Sequence, residues 1–148
     1  MGTVDQGDFA LWVAAHCFGR ELSYVGWGGV GKQVRDLLHV DDLAELLEAQ
    51  LARFDPLADE TFNLGGGLAC NLSLLETTRL CQEITGHTVP ISAVPGTRPA
   101  DMRWYVTDNR RVAVAAGWRP KRSAGDVLAA IDAWLITEES TVRHLWTG

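Results

Sequence analysis

Two short polar clusters carry the residue types that could do chemistry. Arg98 and Asp101 lie three apart in a loop, PGTRPAD, with a proline on each side of the arginine. A guanidinium and a carboxylate at that spacing can address a diphosphate and a ribose hydroxyl together. They can equally form a surface ion pair of little worth. The second cluster is Arg35-Asp36 followed by His39, Asp41 and Asp42. In an extended segment Arg35, Leu37 and His39 face one way, and Asp36 and Leu38 the other. Arg35 can fork onto a phosphate and Asp36 can hold backbone at a turn. The plainer alternative is a structural Arg–Asp pair followed by a capping aspartate.

Two glycine runs suggest phosphate cradles, and each falls short. GWGGVGKQ places Gly26, Gly31 and Lys32 as a P-loop would, but Gln33 stands where Ser or Thr should hold Mg²⁺. The following VRDLLHV reads as extended, whereas a P-loop opens a helix. Gly65-Gly66-Gly67 follows an expected strand, yet Cys70 occupies the third glycine position of a dinucleotide loop. Its alternative role is a tight connection that lets backbone approach a neighbour. No GxSxG, HExxH or Tyr-x-x-x-Lys occurs, since Tyr24 is followed four on by Gly28 and Tyr105 by Asn109. No catalytic set and no metal spacing is therefore assigned. Cys17, Cys70 and Cys81 read as free thiols of a reducing cytoplasm.

Elements must position these groups, and the pattern is mixed α/β with short strands. Residues 8–18 form a helix with Phe9, Trp12, Val13, His16 and Cys17 on one face. Leu22–Val25 is a strand. Asp42, with Glu45 three later, is expected to cap a helix whose stripe is Leu43, Leu46, Leu47, Leu51 and Phe54. Asp55-Pro56 stops it. Thr61–Leu64 is expected as a strand, Ser73 and Glu76 as a capping box, and Val89–Val94 as another strand. Trp104–Val106 is extended, and Asp108 caps a helix to Ala116. Ser123 and Asp126 open the last helix, with Val127, Leu128, Ile131, Trp134 and Leu135 on one face. The polar tail after Thr137 should fray. Most of the six tryptophans should be core.

The 148 residues suit one domain, and no composition shift marks a boundary. A formal net charge of −6 argues against nonspecific nucleic-acid or membrane binding. No apolar run is long enough to span a bilayer. The N-terminal MGTVDQGDF is not expected to be a signal peptide.

The ordered string VDQGDFALWV, GxGKQVRDLLHVDDL, FNLGGG with NLSLLE, RPADMRWYVTDNRRV and GWRP resembles the C-terminal, substrate-binding part of extended short-chain dehydrogenases/reductases acting on nucleotide sugars. GKQVRD, HVDD and NLSLLE make it similar above all to the CDP-paratose 2-epimerases, also called CDP-tyvelose 2-epimerases. The resemblance runs from Val4 to Trp134. It implies that Arg35 and Arg98 contact the diphosphate and Asp101 a ribose hydroxyl. It also implies that Gln33 and the loop holding Gln6 lie near the sugar or nucleotide, a CDP-sugar for preference. Thr61–Leu64 resembles a late strand that the family adds to its Rossmann sheet.

Family members carry a GxxGxxG cofactor loop, a Ser/Thr and a Tyr-x-x-x-Lys set, all of which would precede Met1. The resemblance thus implies that the Rossmann half that binds NAD is absent, and that this chain binds no cofactor and lacks turnover alone. Three expectations follow. The chain is part of an NAD-dependent epimerase, completed by a separate Rossmann-half chain. Or it is a stand-alone nucleotide-sugar-binding module. Or it is an interaction module whose uncovered strand drives homo-oligomer formation.

Overall fold

The computed structural model describes residues 8–52 and 60–146. Helices α1 (Asp8–Phe18), α2 (Val40–Ala52), α3 (Leu74–Thr85), α4 (Arg110–Ala116), α5 (Ala124–Thr137) and α6 (Glu139–Trp146) alternate with five short strands. These are β1 (Leu22–Val25), β2 (Val34–Asp36), β3 (Asn71–Ser73), β4 (Ile91–Val94) and β5 (Trp104–Tyr105). The mixed α/β class read from the sequence is the observed one. The chain forms two compact units, Met1–Gln33 with Leu72–Arg103 and Leu128–Gly148, and Val34–Asn71 with Trp104–Val127.

In the first unit β1 and β4 pair in parallel, with Leu22 opposite Ile91 and Val25 opposite Val94. Helix α1 packs on α3. Trp12, Val13, Ala14, Leu74, Cys81 and Leu128 are buried there. Trp12 Nε1 donates to Thr78 Oγ1 at 3.0 Å, and Tyr24 Oη lies 2.7 Å from the same oxygen. The expected capping box opens α3: Glu76 N–H donates to Ser73 Oγ, and Ser73 N–H donates to the Glu76 carboxylate. The next free amides of this helix end turn outward to the glycine loop. Leu74 N–H donates to Gln33 O at 3.2 Å and Leu75 N–H to Gly31 O at 2.8 Å. A helix N-terminus that would otherwise be unsatisfied thus fixes the loop.

In the second unit β2 pairs in parallel with β5, Val34 opposite Trp104 and Arg35 opposite Tyr105. Leu46, Val112 and Trp118 form the core here, with Leu38, Phe62, Leu64 and Ala116 packed on it.

Five sequence expectations change. Helix α2 starts at Val40, and His39 Nδ1 accepts the Asp41 N–H at 3.1 Å, so Asp42 is not its cap. Asp108 does not directly precede α4. Asn109 does, while Asp108 accepts both the N–H and the guanidinium of Arg110. Thr61–Leu64 is not a strand: Phe62 and Leu64 pack inward and Thr61 and Asn63 are exposed, but the segment pairs with no described strand. A strand needs a ladder, and no described strand pairs with this segment. The tail after Thr137 is helical rather than frayed. Val142 buries, Arg143 pairs with Glu139 one turn back, and its guanidinium lies 5.8 Å from the Phe18 ring centroid. Finally, Trp27, Trp104 and Trp134 are exposed, leaving only Trp12 and Trp118 buried among the described tryptophans. Phe54, Asp55 and Pro56 lie outside the described residues.

Candidate functional site

The Arg98–Asp101 loop is a turn with a definite construction. Asp101 N–H donates to Arg98 O at 3.2 Å, closing a four-residue β-turn. Pro99 fixes a negative φ at the second position, and Ala100 has φ 64° at the third. That combination is a type II turn, which normally carries Gly where Ala100 stands. It sets the guanidinium and the carboxylate at the two ends of one tight bend. Ala100→Gly is expected to stabilise the chain by roughly 1 kcal/mol, since the left-handed penalty exceeds the entropic cost of glycine. A lower denaturation midpoint for this variant would contradict the turn.

Asp101 returns to the glycine loop. A Cβ placed on Gly26 would lie 3.3 Å from Asp101 Oδ2, 3.5 Å from Gln33 Nε2 and 3.5 Å from Thr97 Cα. Gly26 is therefore the floor on which Gln33, Thr97 and Asp101 converge, and a side chain there would displace them. Gln33 is buried, and its Nε2 donates to Val25 O. That bond fixes the amide orientation, and Gln33 Oε1 has no hydrogen-bond partner among the described residues. Arg98 is exposed. Thr97 was not singled out from the sequence. Its Oγ1 accepts the Trp27 N–H at 3.0 Å across 70 residues, a separation that no local spacing signals.

Of the residues expected at a site, Gln33, Arg98 and Asp101 thus lie in the first unit, and Gln33 and Asp101 meet at Gly26. Arg35 lies in the second unit, half-buried, with Nη1 donating to Val34 O at 2.8 Å. Gln6 lies outside the described residues. Asp36 holds backbone as expected: Oδ2 accepts Gly67 N–H at 2.9 Å and Thr107 N–H at 3.0 Å.

Neither glycine run is built to cradle a dinucleotide. After GWGGVGKQ the chain enters strand β2 rather than a helix. Gly65 N–H donates to Asn109 Oδ1 and Gly67 N–H to Asp36, so those amides are already engaged within the protein. Those two amides are therefore not free to meet a phosphate. Among the described residues no group of three or more His, Cys, Asp or Glu could hold a metal ion.

Burial, with the Asp132 carboxylate as hydrogen-bond partner, pushes the Cys17 thiol up to about 12. Burial pushes Cys81 to about 12 and raises Cys70 as well. Hydrogen bonds from the Arg110 side chain and N–H lower Asp108 to about 2. His16 is fully buried, with Nδ1 2.7 Å from Trp12 O. The second unit also holds a cleft of about 810 Å³, lined by Gly66, Leu68, Trp104, Asn109, Val114 and Arg119 among others. Its lining also includes the Asp108–Arg110 ion pair.

Comparison with known proteins identifies the lineage. The chain is 35% identical over 106 residues to CDP-paratose 2-epimerase of Salmonella typhi, covering 72% of this chain and 31% of that protein. It is 30% identical over 108 residues to UDP-glucose 4-epimerase of Corynebacterium glutamicum, again covering 72% of this chain and 31% of the relative. The chain belongs to the NAD-dependent epimerase/dehydratase family, the extended short-chain dehydrogenases/reductases. It matches the C-terminal portion of these proteins and spans about a third of their length. The UDP-glucose 4-epimerase of Thermotoga maritima, solved with UDP-glucose, superposes with a TM-score of 0.68 at 26% identity, covering 90% of this chain and 40% of that one. The UDP-glucuronic acid 4-epimerase of Bacillus cereus shares the fold, with a TM-score of 0.74 at 20% identity over 89% of this chain and 40% of its own. No protein-family model matches the chain. No helix among the described residues is long and apolar enough to cross a membrane.

Proposed function

We propose that this chain is the nucleotide-sugar-binding portion of an NAD-dependent sugar epimerase, with a CDP-sugar as the favoured ligand and no turnover on its own. The observation that carries the reading is the type II turn that holds Arg98 and Asp101 at its ends beside Gly26 and Gln33. In this reading the Arg98 guanidinium takes the diphosphate and the Asp101 carboxylate accepts from a ribose hydroxyl. Gln33 braces the strand end at Val25, next to the bound ligand. Arg35 and Gln6 enter on family resemblance alone. The relatives' names support nucleotide sugars as the ligand class. In this reading hydride transfer belongs to other segments, which bind NAD. A reducing, cytoplasmic setting accords with the free thiols.

Arg98→Ala is expected to weaken binding of CDP-glucose by about 1.5–3 kcal/mol, the range for a hydrogen bond to a charged group. Titration calorimetry reads this directly, and an unchanged affinity removes Arg98 from the site. A thermal-shift comparison of CDP-, UDP- and dTDP-glucose, each with and without NAD, selects the base. Ligand that binds only the folded state raises its midpoint.

A second reading, an interaction module, is favoured by one feature of the second unit. Thr61–Leu64 alternates inward and outward like a strand, yet neither of its edges is paired among the described residues. Leu68, Trp104 and Val114 are exposed in the same unit. An uncovered edge and exposed apolar side chains invite a partner chain or a second copy. Sedimentation of a monomer at all concentrations would exclude self-association.

A further inference from the structure

We propose that Trp27 is the stacking platform for the nucleobase of the bound nucleotide; this rests on the nucleotide-sugar reading above. Trp27 has φ 51°, a left-handed conformation that bulky L residues rarely adopt. Such a residue persists only where its surroundings over-determine it. Here they do. Gly26 N–H donates to Val94 O at 2.7 Å, Trp27 N–H to Thr97 Oγ1 at 3.0 Å, and Gly29 N–H to Gly26 O at 2.8 Å. The backbone is pinned on both sides of the indole, which fixes the point from which the side chain leaves the chain. The Arg103 guanidinium lies 5.9 Å from the ring centroid, a cation–π contact that further restrains it. The side chain nevertheless remains 37% exposed.

Its position gives the strain a use. Trp27 follows Gly26, the point where Asp101 and Gln33 converge, and its N–H is held by the residue preceding Arg98. Indole, carboxylate and guanidinium thus belong to one pinned pair of loops in one unit. A nucleoside diphosphate presents a flat base, a ribose diol and a diphosphate in that order. An indole suits the first, Asp101 the second and Arg98 the third. Stacking accepts any base, because every base has a π-face, so Trp27 supplies affinity rather than a choice among CDP, UDP and dTDP.

Trp27→Gly and Trp27→Phe test this with CDP as the probe. Glycine tolerates the backbone angle at position 27, so Trp27→Gly should melt at or above the wild-type temperature. It should bind CDP roughly ten- to a hundred-fold more weakly, while Trp27→Phe stays within about five-fold of wild type. Binding by Trp27→Gly within about two-fold of wild type overturns the proposal, as does a drop in melting temperature that accompanies the lost affinity. Equal loss in Trp27→Phe and Trp27→Gly overturns it too. If Arg98→Ala loses CDP while Trp27→Gly retains it, the binding site stands and the platform does not. If the wild-type chain binds none of CDP, UDP or dTDP, the nucleotide-sugar reading itself fails and Trp27 falls with it.

Discussion

Gly66→Ala is expected to cost about 3 kcal/mol or more, a large part of the stability of a domain of this size. A Cβ at this position would lie 2.0 Å from Leu37 O and 2.4 Å from Cys70 O. Both are backbone atoms, so no rotamer change relieves the overlap. The two segments are also bonded to each other, Leu37 N–H to Cys70 O at 2.9 Å. Parting them would break that bond and shift buried Leu37 and Cys70. Gly65→Ala makes the informative comparison. Its Cβ would meet Asp36 Oδ2 and Thr107 Oγ1 at 2.3 Å, which are side-chain atoms. They can move, although Asp36 would then loosen its hold on Gly67 and Thr107. The expected order in urea midpoint is wild type, then Gly65→Ala, then Gly66→Ala. A thermal midpoint for Gly66→Ala within a few degrees of wild type would show that this packing is wrong, since about 3 kcal/mol corresponds to roughly 10 °C at this size.

The glycine run shows how far local reading reaches. Three consecutive glycines announce that backbone comes close to something, but whether to a phosphate or to Leu37 depends on chain thirty residues away. The same division runs through the molecule. The Ser73–Glu76 capping box was legible because both partners lie within one turn. The three-residue spacing of Arg98 and Asp101 was legible, and what joins them is backbone, Asp101 N–H to Arg98 O. The left-handed Ala100 was not, because no rule of composition puts alanine there. Trp134 was assigned inward because helix α5 is apolar on most of its surface, so periodicity offered several equivalent faces. It is more than half exposed, at 54%. Thr61–Leu64 has the residues of a strand, but strand formation is a property of two segments. Trp27 gave no signal, since its anchor Thr97 is distant in sequence.

Asp42 is where local reading failed most instructively, and the second large effect is expected there. Asp after His-Val-Asp looks like a helix cap, yet this carboxylate is buried within the first turn of α2. It accepts the Arg122 guanidinium at 2.6 Å and the N–H groups of Lys121 and Arg122 at 3.2 Å each. Asp42 O also accepts the Trp118 indole N–H at 2.9 Å. One residue therefore ties the chain at 118–122 to α2. Burial pushes its carboxyl up, but the Arg122 and Lys121 hydrogen bonds outweigh burial and hold it below the ordinary value. Asp42→Asn keeps the shape and removes the charge. It is expected to cost about 2–4 kcal/mol, less than the full penalty for breaking a buried pair because the Arg122 side chain is partly exposed. The sign with pH follows from the lowered value. The charge contributes its full stability above the unfolded carboxyl value of about 3.9, and that contribution is lost as pH falls through the folded value below it. The gap between wild type and Asp42→Asn in urea midpoint should thus be level from pH 7 to 5 and narrow below about pH 4. Arg122→Met should reproduce much of the neutral-pH loss, and the double variant should lose less than the two single losses combined. A gap that stays constant down to acid pH, or strictly additive losses, would mean that the carboxylate is not what joins these segments.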